Sequence, residues 1–144
     1  MYSITRDYHF SAAHTIPGHP KCSRLHGHNY KVEVTLSSKV LDRNGMIMDF
    51  GEMDKIVDPI IEKFDHRYLL GTNEESIVDR PTSWCPGLFS DDWVHHLATP
   101  TSTVEDLAGW FFDLLEMRSW PTGVSVAEIT VWENHKSRST YRAG

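Results

Sequence analysis

The chain has 144 residues, enough for one domain with a buried core, and its 40% hydrophobic and 24% charged residues exclude a disordered or fibrous protein. Its formal net charge of −6 argues against nonspecific binding to nucleic acid or to anionic membranes. No run approaches the roughly 18 apolar residues of a membrane span, and the N-terminus lacks the apolar segment of a signal peptide. We therefore expect a cytoplasmic protein in which Cys22 and Cys85 are free thiols.

Two extended segments come first in the chain. Apolar residues at even positions of residues 2–14 indicate a strand. Residues 30–36 alternate apolar with polar side chains, which is typical of a half-buried strand in an antiparallel sheet. A turn signal at residues 42–45 follows, and residues 46–50 return to an extended chain.

Two amphipathic helices are predicted further along. From Glu52 the spacing of apolar residues becomes helical, and we expect one helix that bends at Pro59 and ends within residues 64–70, before Gly71. A second helix begins at Thr103, where residues 103–106 resemble a capping box with Asp in place of Glu. It ends at residues 120–123.

The segment between the helices, residues 72–99, has no period and is interpreted as a long irregular insertion with short helical pieces around residues 93–97. Its aromatic residues, Trp84, Phe89 and Trp93, suggest that it packs against another surface. The chain ends with a predicted strand over residues 124–133 and a polar tail that is a candidate for a further short strand. The pattern as a whole predicts a single α+β domain over residues 1–144.

A candidate metal site lies where the second extended segment begins. His26 and His28 are two residues apart, so in a strand they point to the same face with Cα atoms roughly 6.5 Å apart, and both can reach one ion. Gly27 between them would let another backbone or a ligand approach closely. A catalytic zinc ion needs a third protein ligand, and His14 is the obvious candidate. The alternative is that the HxH pair arises by chance in a chain with nine His.

Three further groups have chemical potential, each with a simpler alternative. Cys22, four residues before His26, is a candidate proton-transfer group if its thiol is activated, but a free Cys is often only a small buried apolar residue. Asp65 beside His66 would suit acid–base chemistry, although a helix C-terminus attracts His through its dipole alone. The carboxylate of Glu133 would match the paired N–H groups of a pterin or guanine, or it is a solvated strand end.

Six motifs run in order from residue 10 to residue 133 and together cover nearly the whole chain outside the insertion: Phe10-Ser-Ala-Ala-His14, Cys22-x-x-x-His26-Gly-His28-Asn-Tyr30, Met48-Asp-Phe50-Gly, Phe64-Asp-His-Arg-Tyr-Leu, Thr103-Val-Glu-Asp-Leu-Ala and Val131-Trp-Glu133. These motifs resemble the 6-pyruvoyltetrahydropterin synthase superfamily. The gap of three residues between Cys22 and His26 looks most like its bacterial branch, 6-carboxy-5,6,7,8-tetrahydropterin synthase, because eukaryote-type pyruvoyl synthases usually have a longer gap.

The resemblance implies the tunnelling fold, a four-stranded antiparallel sheet with two helices on one face. It also implies assembly into an oligomeric barrel, commonly a hexamer made of two trimers, with active sites at subunit interfaces. Asp65 and His66 would then meet Cys22 across an interface rather than within one chain.

The resemblance further implies a role for each candidate residue. Zinc would be held by His14, His26 and His28. Cys22 would transfer protons with Asp65 and His66 as its partner pair, and Glu133 would anchor the pterin ring beside Thr103 and Glu105. The implied reaction converts 7,8-dihydroneopterin triphosphate to 6-carboxy-5,6,7,8-tetrahydropterin with release of acetaldehyde and triphosphate, a step toward 7-deazaguanines and queuosine.

Two alternatives remain at this point: a pyruvoyltetrahydropterin synthase or promiscuous pterin side-chain lyase, and a non-catalytic protein that binds zinc and pterin. Two departures from the family pattern bear on them. Ser102 stands where bacterial relatives often have Pro, and the insertion, with His95 and His96, would cover the pocket, alter substrate choice or enlarge an interface.

Overall fold

A computed structural model describes residues 1–74 and 92–144. The described elements are six strands and two helices, in the order β1 (Tyr2–His14), β2 (His26–Ser38), α1 (Phe50–Glu62), β3 (Arg67–Leu70), β4 (Val94–His96), α2 (Val104–Glu116), β5 (Val124–Asn134) and β6 (Ser137–Arg142). Most of the predicted insertion, including Trp84, Cys85 and Phe89, lies outside the described residues.

The centre of the sheet is the long antiparallel pair of β1 and β2, which runs from the Tyr2–Ser38 pair to the His14–His26 pair. Even-numbered side chains of both strands face the core: Tyr30, Val32, Val34 and Leu36 are fully buried, and Tyr8 and Phe10 are nearly so. β2 pairs with β5, and β5 with β6, both antiparallel. The predicted alternation of β2 and the short strand in the polar tail are therefore confirmed.

The expectation of a four-stranded sheet is wrong, because the described chain forms a six-stranded sheet in the order β4-β3-β1-β2-β5-β6. β3 pairs parallel to β1, and β4 pairs parallel to β3. β3 occupies residues for which the sequence predicts a helix end, and β4 replaces the helical pieces expected around residues 93–97. Segments of four and three residues are too short to show a period, so their conformation is set by pairing at the sheet edge.

α1 begins two residues before the predicted position, because the Asp49 side chain caps it by accepting from the amides of Gly51 and Glu52. Pro59 lies inside the helix, and the buried stripe continues across it through Ile60 and Ile61. α2 begins as predicted, with Thr103 as the N-cap that accepts from the Asp106 amide. The Asp106 carboxylate, however, accepts from the amide and hydroxyl of Thr101.

Both helices contribute to the same buried cluster as the even-numbered face of the sheet. Phe10 stacks on Tyr30 with ring centroids 4.8 Å apart, and Phe64 contacts Phe111 at 4.4 Å. Both helices therefore pack on one face of the sheet, as expected. A small separate cluster of Tyr68, Leu70 and Val94 packs with Ala13 at the β3 and β4 edge.

Within residues 1–74 and 92–144, no helix is long and apolar enough to cross a membrane.

Candidate metal centre and active site

Three histidine rings meet where β1 ends and β2 begins. His14 is the cross-strand partner of His26, and His28 follows two residues later on the same face. The ring centroids of the three side chains lie 4.6 to 5.1 Å apart, and one ligand atom from each lies within 4.8 Å of the others. The sheet register therefore brings together the three residues that the sequence suggested as metal ligands.

Gly27 is required by the close approach of β1. A Cβ atom at this position would lie 2.9 Å from the carbonyl oxygen of Ala12. The sequence predicted that Gly27 would allow the close approach of a backbone or a ligand, and the structure shows that the backbone of β1 approaches it.

Hydrogen bonds fix the orientation of two of the rings. Nδ1 of His14 lies 2.9 Å from the carbonyl oxygen of Ser102, and Nδ1 of His26 lies 2.7 Å from that of Arg24. A carbonyl can only accept, so both Nδ1 atoms carry the proton and both Nε2 lone pairs are free. Nε2 of His14 is buried and has no hydrogen-bond partner among the described residues.

An unpartnered, buried nitrogen in such a cluster fits a metal ligand. Burial lowers the pKa of His14 to about 4, and the neighbouring His26 and His28 contribute to the shift. Burial also lowers the pKa of His28. Neutral imidazole is the form that binds metal, so the three side chains fit a metal site.

Cys22 is a partly buried free thiol in the loop that connects β1 to β2. Its backbone is held on both sides: its carbonyl accepts from the Ile16 amide at 2.7 Å, and its amide donates to Nδ1 of His19 at 2.9 Å. Cys22 is not part of the histidine group that could hold a metal. Its predicted role as a proton-transfer residue stays a prediction.

Asp65 and His66 form a pair at the turn between α1 and β3. The Asp65 carboxylate lies 2.9 Å from Nδ1 of His66 and accepts from the Ser11 amide at 2.9 Å. The Ser11 amide and the His66 side chain together lower the pKa of Asp65. His66 has a φ of 56°, and its side chain is 80% exposed. The predicted pair therefore exists, at an exposed turn.

His66 lines a cleft of about 490 Å³, and His28 of the histidine cluster lines the same cleft. The strand residues of that cleft include Ser11, Ala13 and Asn29, whose side chains alternate with those of the buried face. The rings of His14 and His28 belong to the buried face, where both contact Tyr30. His66 and His28 therefore border one cleft, but His66 is not part of the group that could hold a metal.

The predicted pterin-binding residues occupy two positions near the cluster. A carboxylate oxygen of Glu133 lies 3.9 Å from Nε2 of His28. Thr103 caps α2, and Glu105 is exposed in the first turn of that helix. Thr103 follows Ser102, whose carbonyl holds His14, so the start of α2 also borders the cluster.

Sequence reasoning missed three residues that support this site. Glu74 is buried and accepts hydrogen bonds from the amide and hydroxyl of Ser102. Ser102 stands out in the sequence only as a departure from a common Pro, and the loop residue His19 accepts from the Cys22 amide. No periodicity marks any of them, because each acts through one long-range or turn contact.

His95, noted in the insertion, lies in β4 and contacts the Phe64 ring at 4.5 Å. Burial lowers its pKa. His96, at the end of the same strand, is exposed. Among the described residues, neither is part of the metal-binding group.

Comparison with known proteins gives one family. The family model for 6-pyruvoyl tetrahydropterin synthase matches residues 3–144. A putative 6-carboxy-5,6,7,8-tetrahydropterin synthase from Archaeoglobus fulgidus is 49% identical over 82 residues, which are 57% of this chain and 68% of that protein. The 6-carboxy-5,6,7,8-tetrahydropterin synthase from Synechocystis is 37% identical over 135 residues, 90% of this chain and 85% of the relative.

Solved structures share the fold along the whole chain. An uncharacterized protein from Wolinella succinogenes superposes with a TM-score of 0.82 at 23% identity, covering 99% of this chain and 98% of that one. The 6-pyruvoyl tetrahydropterin synthase from Caenorhabditis elegans gives 0.73 at 25% identity, covering 99% and 96%.

Proposed function

Because the chain belongs to the 6-pyruvoyl tetrahydropterin synthase family, we propose that it converts 7,8-dihydroneopterin triphosphate to 6-carboxy-5,6,7,8-tetrahydropterin, with release of acetaldehyde and triphosphate. The resemblance found in the sequence is thereby confirmed, and the chain is a lyase-type enzyme of this pterin-processing family. The proposed product would serve the synthesis of 7-deazaguanines such as queuosine.

The observation that carries the proposal is the name shared by the curated relatives. The Synechocystis enzyme and a Haemophilus influenzae relative, 28% identical over 99% of both chains, are both 6-carboxy-5,6,7,8-tetrahydropterin synthases. The gap of three residues between Cys22 and His26 supports the same branch.

His14, His26 and His28 would hold the metal, for which we propose zinc. Two of these rings are oriented by carbonyls, and the buried Nε2 atom of His14 has no other partner among the described residues. Bound there, zinc would supply Lewis acidity to the side-chain oxygens of the substrate and acidify the adjacent C–H bonds.

The residues around the metal site would bind the substrate and move its protons. Glu133 lies beside His28, where its carboxylate would accept two N–H groups of the pterin ring. Thr103 and Glu105, at the start of α2, would border the same ring. Cys22 would take a proton from the substrate side chain, and the Asp65–His66 pair would return one.

Asp65 and His66 would come from a neighbouring subunit. The His66 side chain is 80% exposed on the single chain, and a neighbouring subunit would enclose it. An oligomer with active sites at its interfaces, proposed here as a hexamer of two trimers, would bring the two halves together.

Mass spectrometry of the products formed from 7,8-dihydroneopterin triphosphate by the zinc-loaded protein tests this proposal. We expect 6-carboxy-5,6,7,8-tetrahydropterin together with acetaldehyde. A 6-pyruvoyl product would assign the chain to the other branch of the family. Zinc and pterin binding without any product would leave a binding protein and overturn the proposed reaction.

A further inference from the structure

A buried carboxylate lies behind the histidine cluster. Glu74 is only 1% exposed, and its oxygens accept hydrogen bonds from the Gly71 amide at 2.9 Å, the Ser102 amide at 2.8 Å and the Ser102 hydroxyl at 2.9 Å. Within residues 1–74 and 92–144, no Lys, Arg or His side chain forms an ion pair with it. A buried carboxylate without a cation is unusual because its desolvation is costly.

The backbone around Glu74 fixes the position of this carboxylate. Residues 71–74 lie against residues 99–102: the Thr72 amide donates to the Thr99 carbonyl at 2.9 Å, and the Asn73 amide donates to that of Pro100 at 2.9 Å. The approach is so close that a Cβ on Gly71 would lie 2.5 Å from the Pro100 carbonyl oxygen. The two segments therefore form one unit.

Ser102 connects these two segments to the metal site. Ser102 is fully buried and donates twice to Glu74, while its own carbonyl oxygen accepts from Nδ1 of His14. The hydrogen bonds from Ser102 to Glu74 thus fix the position of the Ser102 carbonyl that orients His14. Outer hydrogen bonds of this kind orient a ligating imidazole and tune its affinity for metal.

The negative charge of Glu74 also lies close to the cluster. Ser102 alone separates its carboxylate from His14, since the same residue donates to Glu74 and accepts from the His14 ring. In a buried, low-dielectric region, an anion this close favours a cation held by that ring.

We propose that Glu74 is a positioning residue for the metal centre: through Ser102 it holds the carbonyl that orients His14, and its negative charge favours a divalent cation at His14, His26 and His28. The inference deepens the proposed function and rests on it for the presence of the metal. It also explains the departure at Ser102, because Pro at this position would have neither the amide nor the hydroxyl that Glu74 binds.

The test is the zinc affinity of Glu74→Gln, measured with the full chain by competition with a chromophoric chelator. The amide keeps the size of the side chain but removes its charge, and its NH₂ group must face either the Gly71 amide or the two Ser102 donors. We expect zinc binding roughly tenfold weaker, within the range for outer residues of metal sites. The visible spectrum of the Co²⁺-substituted variant should change as well, because the orientation of His14 changes.

Asp106→Asn is the matched control. Asp106 also accepts two hydrogen bonds at the start of α2, but both come from Thr101 rather than from Ser102. Its loss should lower the melting temperature of the metal-free protein while zinc affinity stays within about twofold of the parent. If Glu74→Gln does not fold, Ser102→Ala removes only the hydroxyl bond, and about threefold weaker zinc binding is then expected.

Equal zinc affinity in the parent and in the folded Glu74 variant, or an equal loss in the Asp106 control, overturns the inference. The outcomes distinguish a failure of this inference from a failure of the proposed function. A parent that makes the pterin product while its zinc affinity is insensitive to Glu74 refutes the inference alone. A parent that binds zinc in a Glu74-dependent way but makes no product refutes the reaction alone, and a parent that binds no zinc refutes both.

Discussion

The histidine cluster and the Asp65–His66 turn are built in opposite ways. His14 is 1% exposed, and its ring is oriented by the carbonyl of Ser102. The His66 side chain is 80% exposed, and its backbone adopts a φ of 56° that non-glycine residues rarely adopt. One site is buried, whereas the other is held by its backbone and exposed to solvent on the single chain.

The difference matches the chemistry proposed for each site. A metal site must be formed before the ion arrives, since ligands that have to reorganise lose affinity. A proton-transfer group that acts across an interface is completed only on assembly, so it is displayed at the surface of the single chain. The backbone strain at His66 is then a means of directing an imidazole outward.

The largest effect on zinc affinity is expected when one imidazole of the histidine cluster is removed. His28→Ala should lower zinc affinity on the order of 10³-fold, because losing one of three ligands removes a few of the roughly 10–16 kcal/mol that a protein zinc site supplies. Metal content after dialysis, measured by elemental mass spectrometry, checks this. His9→Ala, an exposed position on β1, is the control and should keep its zinc. Equal zinc in His28→Ala and the parent would remove His28 from the ligand set.

Replacing the thiol should separate metal binding from turnover. Cys22→Ala should keep zinc and the fold, since Cys22 lies outside the group that could hold the metal, but turnover should fall by roughly 10²–10⁴-fold. Steady-state kinetics together with zinc content measure both effects. Turnover equal to that of the parent would exclude the thiol from proton transfer.

The pH dependence of the metal-free protein should reveal the burial of His14. Its pKa of about 4 in the folded chain lies below the value of about 6.5 for an exposed His. The unfolded chain therefore takes up a proton first as the pH falls. The free energy of unfolding should decrease from about pH 6.5 to pH 4 by at most roughly 3 kcal/mol, and then level off.

Urea unfolding in the presence of EDTA at a series of pH values measures this slope. His14→Gln should flatten it between pH 4 and pH 6.5, because the titrating group is gone. An unchanged slope in His14→Gln would assign the effect to other groups.

The smallest effect on stability is expected at the exposed Asp65–His66 turn, where a substitution should leave the free energy of unfolding unchanged or raise it. His66→Gly relieves a left-handed backbone that costs a non-glycine residue about 1–2 kcal/mol, while the added flexibility of the unfolded chain offsets about 0.5–1 kcal/mol of the gain. We therefore expect the free energy of unfolding to be unchanged or up to about 1.5 kcal/mol higher.

Turnover of His66→Gly should nevertheless fall by at least about 10²-fold. Thermal melts and kinetics of the same preparation test both statements. A clear loss of stability would show that the His66 side chain supports the fold of its own chain, and the contrast between the two sites would then fail.

The sequence by itself determined the elements whose signal is local. The alternation in β2, the apolar stripes of α1 and α2, the capping Thr103 and the spacing of His26 and His28 are all periodic or near-neighbour features. The order of the six motifs was enough to identify the family. The position of His14 opposite His26 then followed from the register of two strands that the sequence had already indicated.

Only the tertiary structure decided what depends on distant pairing. β3 and β4 are strands because they pair at the edge of the sheet, although their few residues show no period. Glu74 lies beside Ser102, 28 positions along the chain, in a segment whose polar composition resembles that of any loop. The placement of His66, whose amide donates to the Ser11 carbonyl of β1, likewise depends on the turn that returns the chain to that strand. Contacts of this kind are determined by the packing of the whole chain, and local sequence patterns do not encode them.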